Sequence, residues 1–226
     1  MRWLFIVGIC AWAQVEQPRI GMMLDASGSA RPVFGVSASV TLGDPVIADV
    51  VSLACARFCI AKTQDAIVTG SHSVAAPRGP AIFAFSEDAV YVYASGQLWR
   101  WRGGDLEALT LNITGEVLSM RVDGGSVEFA VRRDDGTWIV RDGNVAVESI
   151  PDATGPVFLL PHAILFAAGD EIVLRRADST EMRFPVHADS FVRISTEYVQ
   201  IRSGRSSYAL RVASGREKLF LLPEAP

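Results

Sequence analysis

The sequence has few of the residues on which metal and redox chemistry depend. It contains three cysteines and three histidines in 226 residues. No Cys-x-x-Cys pair and no cluster of histidine with cysteine occurs, so the ligand spacing of structural zinc sites is absent. The histidines, His72, His162 and His187, are predicted to lie in separate, solvated turns. The sequence therefore predicts no metal centre built from these residues.

Motifs that mark catalysis are absent as well. There is no Gly-x-Ser-x-Gly sequence, which places a nucleophilic serine at a strained turn between strand and helix. There is no His-Glu-x-x-His and no glycine-rich loop for binding phosphate. The sequence therefore predicts no catalytic residue by motif.

The chain also lacks an excess of positive charge. It has 21 lysines and arginines against 25 aspartates and glutamates, which gives a net charge of −4. Such a balance argues against nucleic acid or an anionic membrane as the main partner.

The first residues are typical of a secretory signal peptide. Arg2 supplies a positive start, residues 3–10 are apolar, and small residues at Ala11 and Ala13 suit signal peptidase, which predicts cleavage before Gln14. The apolar run is too short to span a bilayer, which needs about 20 residues. We therefore expect an exported protein, periplasmic or extracellular, with no transmembrane segment after cleavage. A buried first strand is the alternative.

Two cysteines remain after such cleavage, Cys55 and Cys59. An exported protein meets an oxidising compartment, in which pairs of cysteines form disulfides. With a tight turn between them, the two Cα atoms approach the roughly 5.5 Å that a disulfide prefers. We predict a disulfide between them; two buried free thiols, which pack as small hydrophobic groups, are the alternative.

Short alternating segments dominate the rest of the chain. Runs of about six residues alternate in polarity or are rich in β-branched and aromatic residues. Examples are the segments 89–93 (AVYVY), 127–131 (VEFAV) and 198–201 (YVQI). Turn pairs such as Ser95-Gly96 and Asp142-Gly143 separate them, and glycine tolerates the positive φ of tight hairpin turns. The pattern predicts an all-β chain.

The segments come in sets of four, with a period of roughly 35–40 residues, near the length of a propeller blade. The sets are 81–86, 89–94, 97–102 and 106–111; 117–122, 127–132, 137–141 and 145–150; 157–160, 163–168, 171–176 and 181–186; 190–195, 198–203, 206–213 and 217–222; and a less regular set over 48–76. Radial packing of such sheets buries both faces of each. Over residues 20–226 the chain resembles β-propeller repeat proteins. The resemblance is architectural, because the Trp-Asp signature of WD repeats and the paired glycines of kelch repeats are absent.

The resemblance implies a β-propeller of about five four-stranded blades plus an N-terminal hairpin, formed by 20–25 and 31–36. The hairpin either begins a sixth, incomplete blade or closes a five-bladed ring by pairing with the C-terminal strands. A β-sandwich or an irregular barrel is the alternative, since both also have regular short strands. The predicted organisation is a signal peptide at 1–13, a linker at 14–19 and one propeller-like domain at 20–226.

One strand carries an unusual run of tryptophan and arginine. Alternation places Trp99 and Trp101 on one face and Arg100 and Arg102 on the other. Exposed tryptophans stack on sugars or anchor protein partners, since tryptophan and arginine are enriched at binding hot spots. The alternative is packing between neighbouring sheets, with arginine stems covering the outer surface.

Acidic residues recur near the start of several sets: Asp49, Glu116, Asp152 and Asp189. In a propeller these connections lie on one face around the central channel. Clustered there, carboxylates bind a hard cation such as calcium or act as the catalytic pair of a glycosidase. The alternative is that each one caps its own turn through backbone hydrogen bonds.

These features favour an exported, non-catalytic binding or scaffold protein whose ligand is a protein or a glycan. The reasoning depends on fold-level analogy, because propellers carry many unrelated functions. The alternative is a carbohydrate-active enzyme that uses the carboxylates at the channel mouth.

Overall fold

The computed structural model of the chain describes residues 18–36, 39–70 and 72–224, and within these ranges the regular elements are β-strands. The signal peptide predicted at 1–13 and residues 14–17 of the predicted linker lie outside the described residues. In the part that is described, no helix is long and apolar enough to cross a membrane.

The 23 strands form six antiparallel sheets, in each of which consecutive strands are neighbours. The sheets, in chain order, contain β1 (Arg19–Leu24), β2 (Ala30–Val36) and β3 (Ser39–Leu42); β4 (Ser52–Cys55), β5 (Cys59–Lys62), β6 (Ala66–Thr69) and β7 (His72–Ala75); β8 (Ala81–Phe85), β9 (Val90–Ala94), β10 (Gln97–Arg102) and β11 (Asp105–Leu109); β12 (Glu116–Asp123), β13 (Ser126–Arg133), β14 (Gly136–Arg141) and β15 (Val145–Ser149); β16 (Val157–Leu160), β17 (Ala163–Ala168), β18 (Glu171–Arg176) and β19 (Glu181–Phe184); and β20 (Ser190–Arg193), β21 (Tyr198–Ser203), β22 (Ser206–Arg211) and β23 (Lys218–Leu221).

Alternation and turn chemistry explain these strands locally. In β9, Val90, Val92 and Ala94 are buried, and the residues between them are only partly buried. The turn into β10 has φ of 50° at Ser95 and 78° at Gly96. Two successive positive φ values match the twist of a two-residue hairpin. The predicted sets of four strands are confirmed.

Six hydrophobic clusters fill the spaces between the sheets, one at each boundary. The last of these joins the final sheet to the first, where Ile194 and Ala209 pack with Met23 and Val33. The sheets therefore close into a ring, and the predicted β-propeller is confirmed. The predicted count was too low, since the ring has six blades. Six separate cores between radial sheets exclude the β-sandwich and the irregular barrel, which enclose one shared interior.

The first strand of each four-stranded sheet lies innermost. A central cavity of about 340 Å³ is lined by β4, β8, β12, β16 and β20, with Leu24 of β1 at its edge. The start of each inner strand points to one face of the ring and its end to the other.

The first sheet differs from the other five. Leu24, at the end of β1, lines the central cavity with Ser52 and Ser190, which begin β4 and β20. Arg19, at the start of β1, lies near Cys55, which ends β4. β1 therefore runs opposite to the inner strands and matches the second strand of the other blades. Among the described residues the first sheet has no innermost strand, and β4 and β20 contact each other across that position.

Closure of the ring uses backbone contact and packing, not a continuous strand ladder. The Met22 N–H donates to the Ile194 carbonyl oxygen at 3.2 Å. A Cβ atom on Gly21 would lie 1.7 Å from the same oxygen, so only glycine permits this approach. Of the two predicted roles for the hairpin, the incomplete sixth blade is correct, and β3 adds its third strand.

Candidate functional site

A cavity of about 920 Å³, here called the β1 cavity, opens at the position where the first sheet, within the described ranges, has no innermost strand. Its walls are the start of β1, the end of β4 with the loop that follows it, and the segment 194–198 after β20. Its apolar lining includes Ile20, Val46, Ile47 and Phe58. The volume falls in the range of ligand cavities, about 300–1,000 Å³.

A disulfide-closed loop forms one lip of the β1 cavity. Cys55 and Cys59 are bonded, with Cα atoms 4.0 Å apart, and they close the turn between β4 and β5. The Ala56 N–H donates to the Phe58 carbonyl oxygen at 2.9 Å. Arg57 ties the loop to the next blade, since its Nη2 atom donates to the carbonyl oxygens of residues 86 and 87, at 2.7 Å each. The loop is therefore held in place from both sides.

Phe58 projects from this loop with its side chain 41% exposed. Its ring lies edge-to-face with Phe85 at 5.7 Å and with Trp101 at 6.0 Å, a favourable arrangement for aromatic pairs. On the far side of Phe58 a second cavity of about 330 Å³ lies over Phe85 and Trp101. Val46, 57% exposed, lies on the wall of the β1 cavity. Two of the five large exposed apolar side chains among the described residues, Val46 and Phe58, therefore lie at this cavity.

The two tryptophans are mainly packing residues. Trp99 and Trp101 lie partly buried against the core between the second and third sheets. Both indole Nε1 atoms are buried and have no hydrogen-bond partner in the described part of the chain. Trp101 lines the second cavity, the one beside Phe58. A binding role for this strand stays a prediction, and Trp101 is its better-placed member.

The arginines of the same strand lie on its outer side in ion pairs. Arg100 pairs with Glu107 at 2.6 Å, and Arg102 pairs with Asp88. Exposed pairs of this kind contribute little to stability, about 0–1 kcal/mol. Both arginine side chains are exposed, and a binding role for them stays a prediction.

Two of the four predicted acidic residues have partners in their own blade. Asp189 accepts from the Gly204 N–H at 2.6 Å and lies 3.2 Å from Nε2 of His187. The Gly204 N–H and then the His187 ring hold the pKa of Asp189 below its ordinary value. Glu116 is 3.5 Å from Nη1 of Arg132. Asp189 thus caps the turn between β21 and β22, fifteen residues further along the chain, and not its own turn.

The structure does not assemble the acidic residues into a cluster. Asp49 adopts a left-handed backbone with φ of 55°, and Asp152 lies exposed in a turn. Within 18–36, 39–70 and 72–224, no three acidic, histidine or cysteine side chains are arranged to hold a metal ion. Calcium binding by Asp49, Glu116, Asp152 and Asp189 stays a prediction that a calcium and chelator thermal-shift assay tests.

Reasoning from sequence missed the two features that build the β1 cavity. Phe58 carried a signal, because an aromatic residue between two cysteines four positions apart is presented by a closed loop. No signal in the sequence indicated the open position beside β1, because that position depends on how the first and last sheets meet.

Comparison with known proteins supports the fold alone. No protein-family model matches the sequence, and no curated protein matches it. Among solved structures, a protein of unknown function from Bacteroides caccae is similar, with 10% identity and a TM-score of 0.55 over 92% of this chain and 100% of that one. PorZ of Porphyromonas gingivalis, a bacterial surface component of the type-IX secretion system, is also similar, with 16% identity and a TM-score of 0.51. The match covers 91% of this chain but only 31% of the PorZ chain. The class shown is therefore a β-propeller.

Proposed function

We propose that the chain is an exported, non-catalytic binding protein that receives an extended segment of a protein partner in the β1 cavity. The observation that carries this proposal is that, among the described residues, no strand lies beside β1 at the position that the innermost strand occupies in every other blade. A partner segment placed there completes the sixth blade.

The backbone of β1 supports strand addition over its first half. The register of β1 against β2 shifts between Arg19 and Gly21, which places Ile20 at a β-bulge in the ladder. Ile20 lies at the β1 cavity, and no backbone bond from it to the last sheet is present among the described residues. A strand edge with free N–H and C=O groups is a template for an added strand. Further along, Met22 already donates to Ile194, which limits the added pairing to the start of β1.

The side chains around the β1 cavity suit a protein more than a free ion or a polar metabolite. Phe58 and Val46 provide exposed apolar area beside the free edge. Contacts of this type, an aromatic anchor beside apolar residues, dominate protein interfaces energetically. The fixed loop means that little conformational entropy is lost when Phe58 is covered.

Selection of peptides from a random phage-displayed library on the purified protein tests this proposal. We expect selected peptides to alternate apolar and polar residues, because alternate side chains of a strand point the same way. By calorimetry, Phe58→Ala should bind them about tenfold more weakly, a loss typical of an interface anchor. Leu221→Ala, which truncates a 65% exposed residue on the outer strand β23, is the matched control and should bind normally.

Hydrogen exchange separates strand addition from simple apolar adhesion. A bound peptide that pairs with β1 should slow exchange of the Ile20 N–H. Failure to select any peptide, or equal affinity of Phe58→Ala and the wild type, would overturn the proposal. Binding with unchanged exchange at Ile20 would retain the cavity as the site and reject the paired strand. Selection of glycans alone from a glycan array would favour the glycan alternative.

Export is supported by the order of charged, apolar and small residues at the start of the sequence. Intact mass of the protein recovered from the cell envelope or the medium tests it, with a chain beginning at Gln14 expected. Recovery of the uncleaved chain from the cytoplasm would contradict it. The described residues offer no observation that favours the carbohydrate-active enzyme.

A further inference from the structure

Arg193 is an inner-strand arginine that faces the interior of the ring. It ends β20 and lines a small cavity of about 20 Å³ that lies between β8, β12, β16 and β20. The next residues along the chain, Ile194 and Ser195, belong to the wall of the β1 cavity. Its walls are mostly apolar and include Phe83, Phe158 and Pro161. The lining contains no acidic residue.

The guanidinium of Arg193 has one protein partner among the described residues. Its Nε atom donates to the Ser195 carbonyl oxygen at 3.3 Å. No described carboxylate forms an ion pair with it, and loss of solvation is the cause that lowers its pKa. Since a guanidinium has five N–H donors, several are left without a protein acceptor. Arg193 is partly exposed, and its Nη atoms are not among the buried atoms that lack a partner, so these donors remain accessible to a small solute.

A second arginine adds positive charge to the same cavity. Arg121 lines it and is bonded to the buried carboxylate of Glu128 at 2.7 Å, with its Nη1 atom donating to the Leu160 carbonyl oxygen. Glu128 also pairs with Arg141 at 2.6 Å, so one carboxylate is shared by two arginines. The cavity lining therefore holds two arginines, Arg121 and Arg193, and no carboxylate, while the carboxylate that pairs with Arg121 lies outside the lining.

We propose that this cavity binds a small inorganic anion of the size of chloride, held by the free N–H groups of Arg193. The cavity volume of about 20 Å³ is enough for one water molecule or one ion of similar size, since a water molecule needs roughly 10–15 Å³. A halide suits the site, since it accepts hydrogen bonds from several directions and is weakly hydrated. A phosphate or a bulky carboxylate is too large. The anion site does not require the partner segment proposed above, although Arg193 adjoins Ile194 and Ser195 on the wall of the β1 cavity.

Thermal unfolding of the purified protein in different sodium salts tests the site. At constant ionic strength, replacing gluconate by chloride or bromide should raise the midpoint of wild type by about 2–4 °C relative to Arg193→Gln. The difference between the two proteins is the quantity compared, because anions also affect stability through the general surface. Arg183→Gln, which alters an exposed ion-paired arginine, is the matched control and should behave as wild type.

An anion effect of equal size in wild type and Arg193→Gln would overturn the proposal. Stabilisation by acetate but not by chloride would reject a halide and assign the site to a carboxylate group. Crystals of the wild-type protein soaked in bromide supply a test that does not depend on the variant. Anomalous density beside the Arg193 guanidinium is expected, and water alone at that position would reject the site.

Discussion

The side-chain amide of Gln200 hydrogen-bonds both backbone groups of Leu24, which lies 176 residues earlier in the chain. The Leu24 N–H donates to Oε1 at 3.1 Å, and Nε2 donates to the Leu24 carbonyl oxygen at 2.9 Å. Gln200 is fully buried on β21, and Leu24 ends β1. A side chain thus supplies, at the seam of the ring, the two bonds that a neighbouring strand supplies elsewhere.

Replacing Gln200 by leucine should therefore weaken the seam. The substitution leaves a buried N–H and a buried C=O without partners, which costs about 1–3 kcal/mol for each group. Urea unfolding should show a loss of about 2–4 kcal/mol. Gln97→Leu is the control, because Gln97 is exposed and makes one long bond of 3.4 Å. Equal stability of the two variants would show that the seam depends on packing alone.

Glu128 should be the acidic residue on which stability depends most. Its carboxylate is 1% exposed and bridges Arg121 and Arg141 across three neighbouring strands. Glu128→Gln leaves the two guanidinium groups without a counter-charge, and we expect a loss of about 3 kcal/mol, typical of a broken buried pair. Glu116→Gln, at an exposed pair, should change stability by less than about 0.5 kcal/mol. Similar losses for both would contradict this account.

The same carboxylate should make stability depend on pH. Burial alone would raise the pKa of Glu128, but hydrogen bonds from Arg141 and then Arg121 outweigh it and leave the pKa below its ordinary value. Its contribution is therefore complete above the unfolded pKa of about 4.3 and is lost as the pH falls through the lower folded pKa. The difference in unfolding free energy between wild type and Glu128→Gln should shrink below about pH 4. If the difference in unfolding free energy between wild type and Glu128→Gln stays constant down to pH 2, the Glu128 carboxylate is not the source of the pH dependence.

Loss of the Cys55–Cys59 disulfide should lower stability modestly, because the loop that it closes is short. The chain-entropy relation gives about 2 kcal/mol for a closed loop of this size. The double variant Cys55→Ser, Cys59→Ser should show this loss in urea, and reductant should produce a similar loss in wild type only. Ala56→Ser, in the same loop, is the control. If reductant also lowers the stability of the double variant, then the loss seen in wild type is not due to reduction of the Cys55–Cys59 disulfide.

Reasoning from sequence predicted the strands and their grouping well. The hairpin pairs, such as Ser95-Gly96, mark where φ must be positive, and alternation marks which side chains of β9 are buried. Both are local properties, readable in a few residues. The number of blades was harder to predict, because the first sheet is incomplete and its β1 and β2 look like a lone hairpin.

The site residues predicted from sequence were less informative. Trp99 and Arg100 are unusual in composition, yet one packs in a core and the other pairs with Glu107. Composition cannot distinguish an exposed tryptophan from a packed one, since both satisfy the same alternation. Phe58 became a candidate only when its loop was seen to lie beside an open strand edge.

The sequence by itself determined the all-β class, the four-strand repeat and the cysteine pair in one turn, because each follows from local periodicity and spacing. Only the tertiary structure decided that the ring has six blades, that the first has no innermost strand in the part of the chain that the structure describes, and that Gln200 bonds across the seam. These features join residues from opposite ends of the chain. Their partners are selected by how six sheets fit around a channel, and no local pattern encodes that geometry.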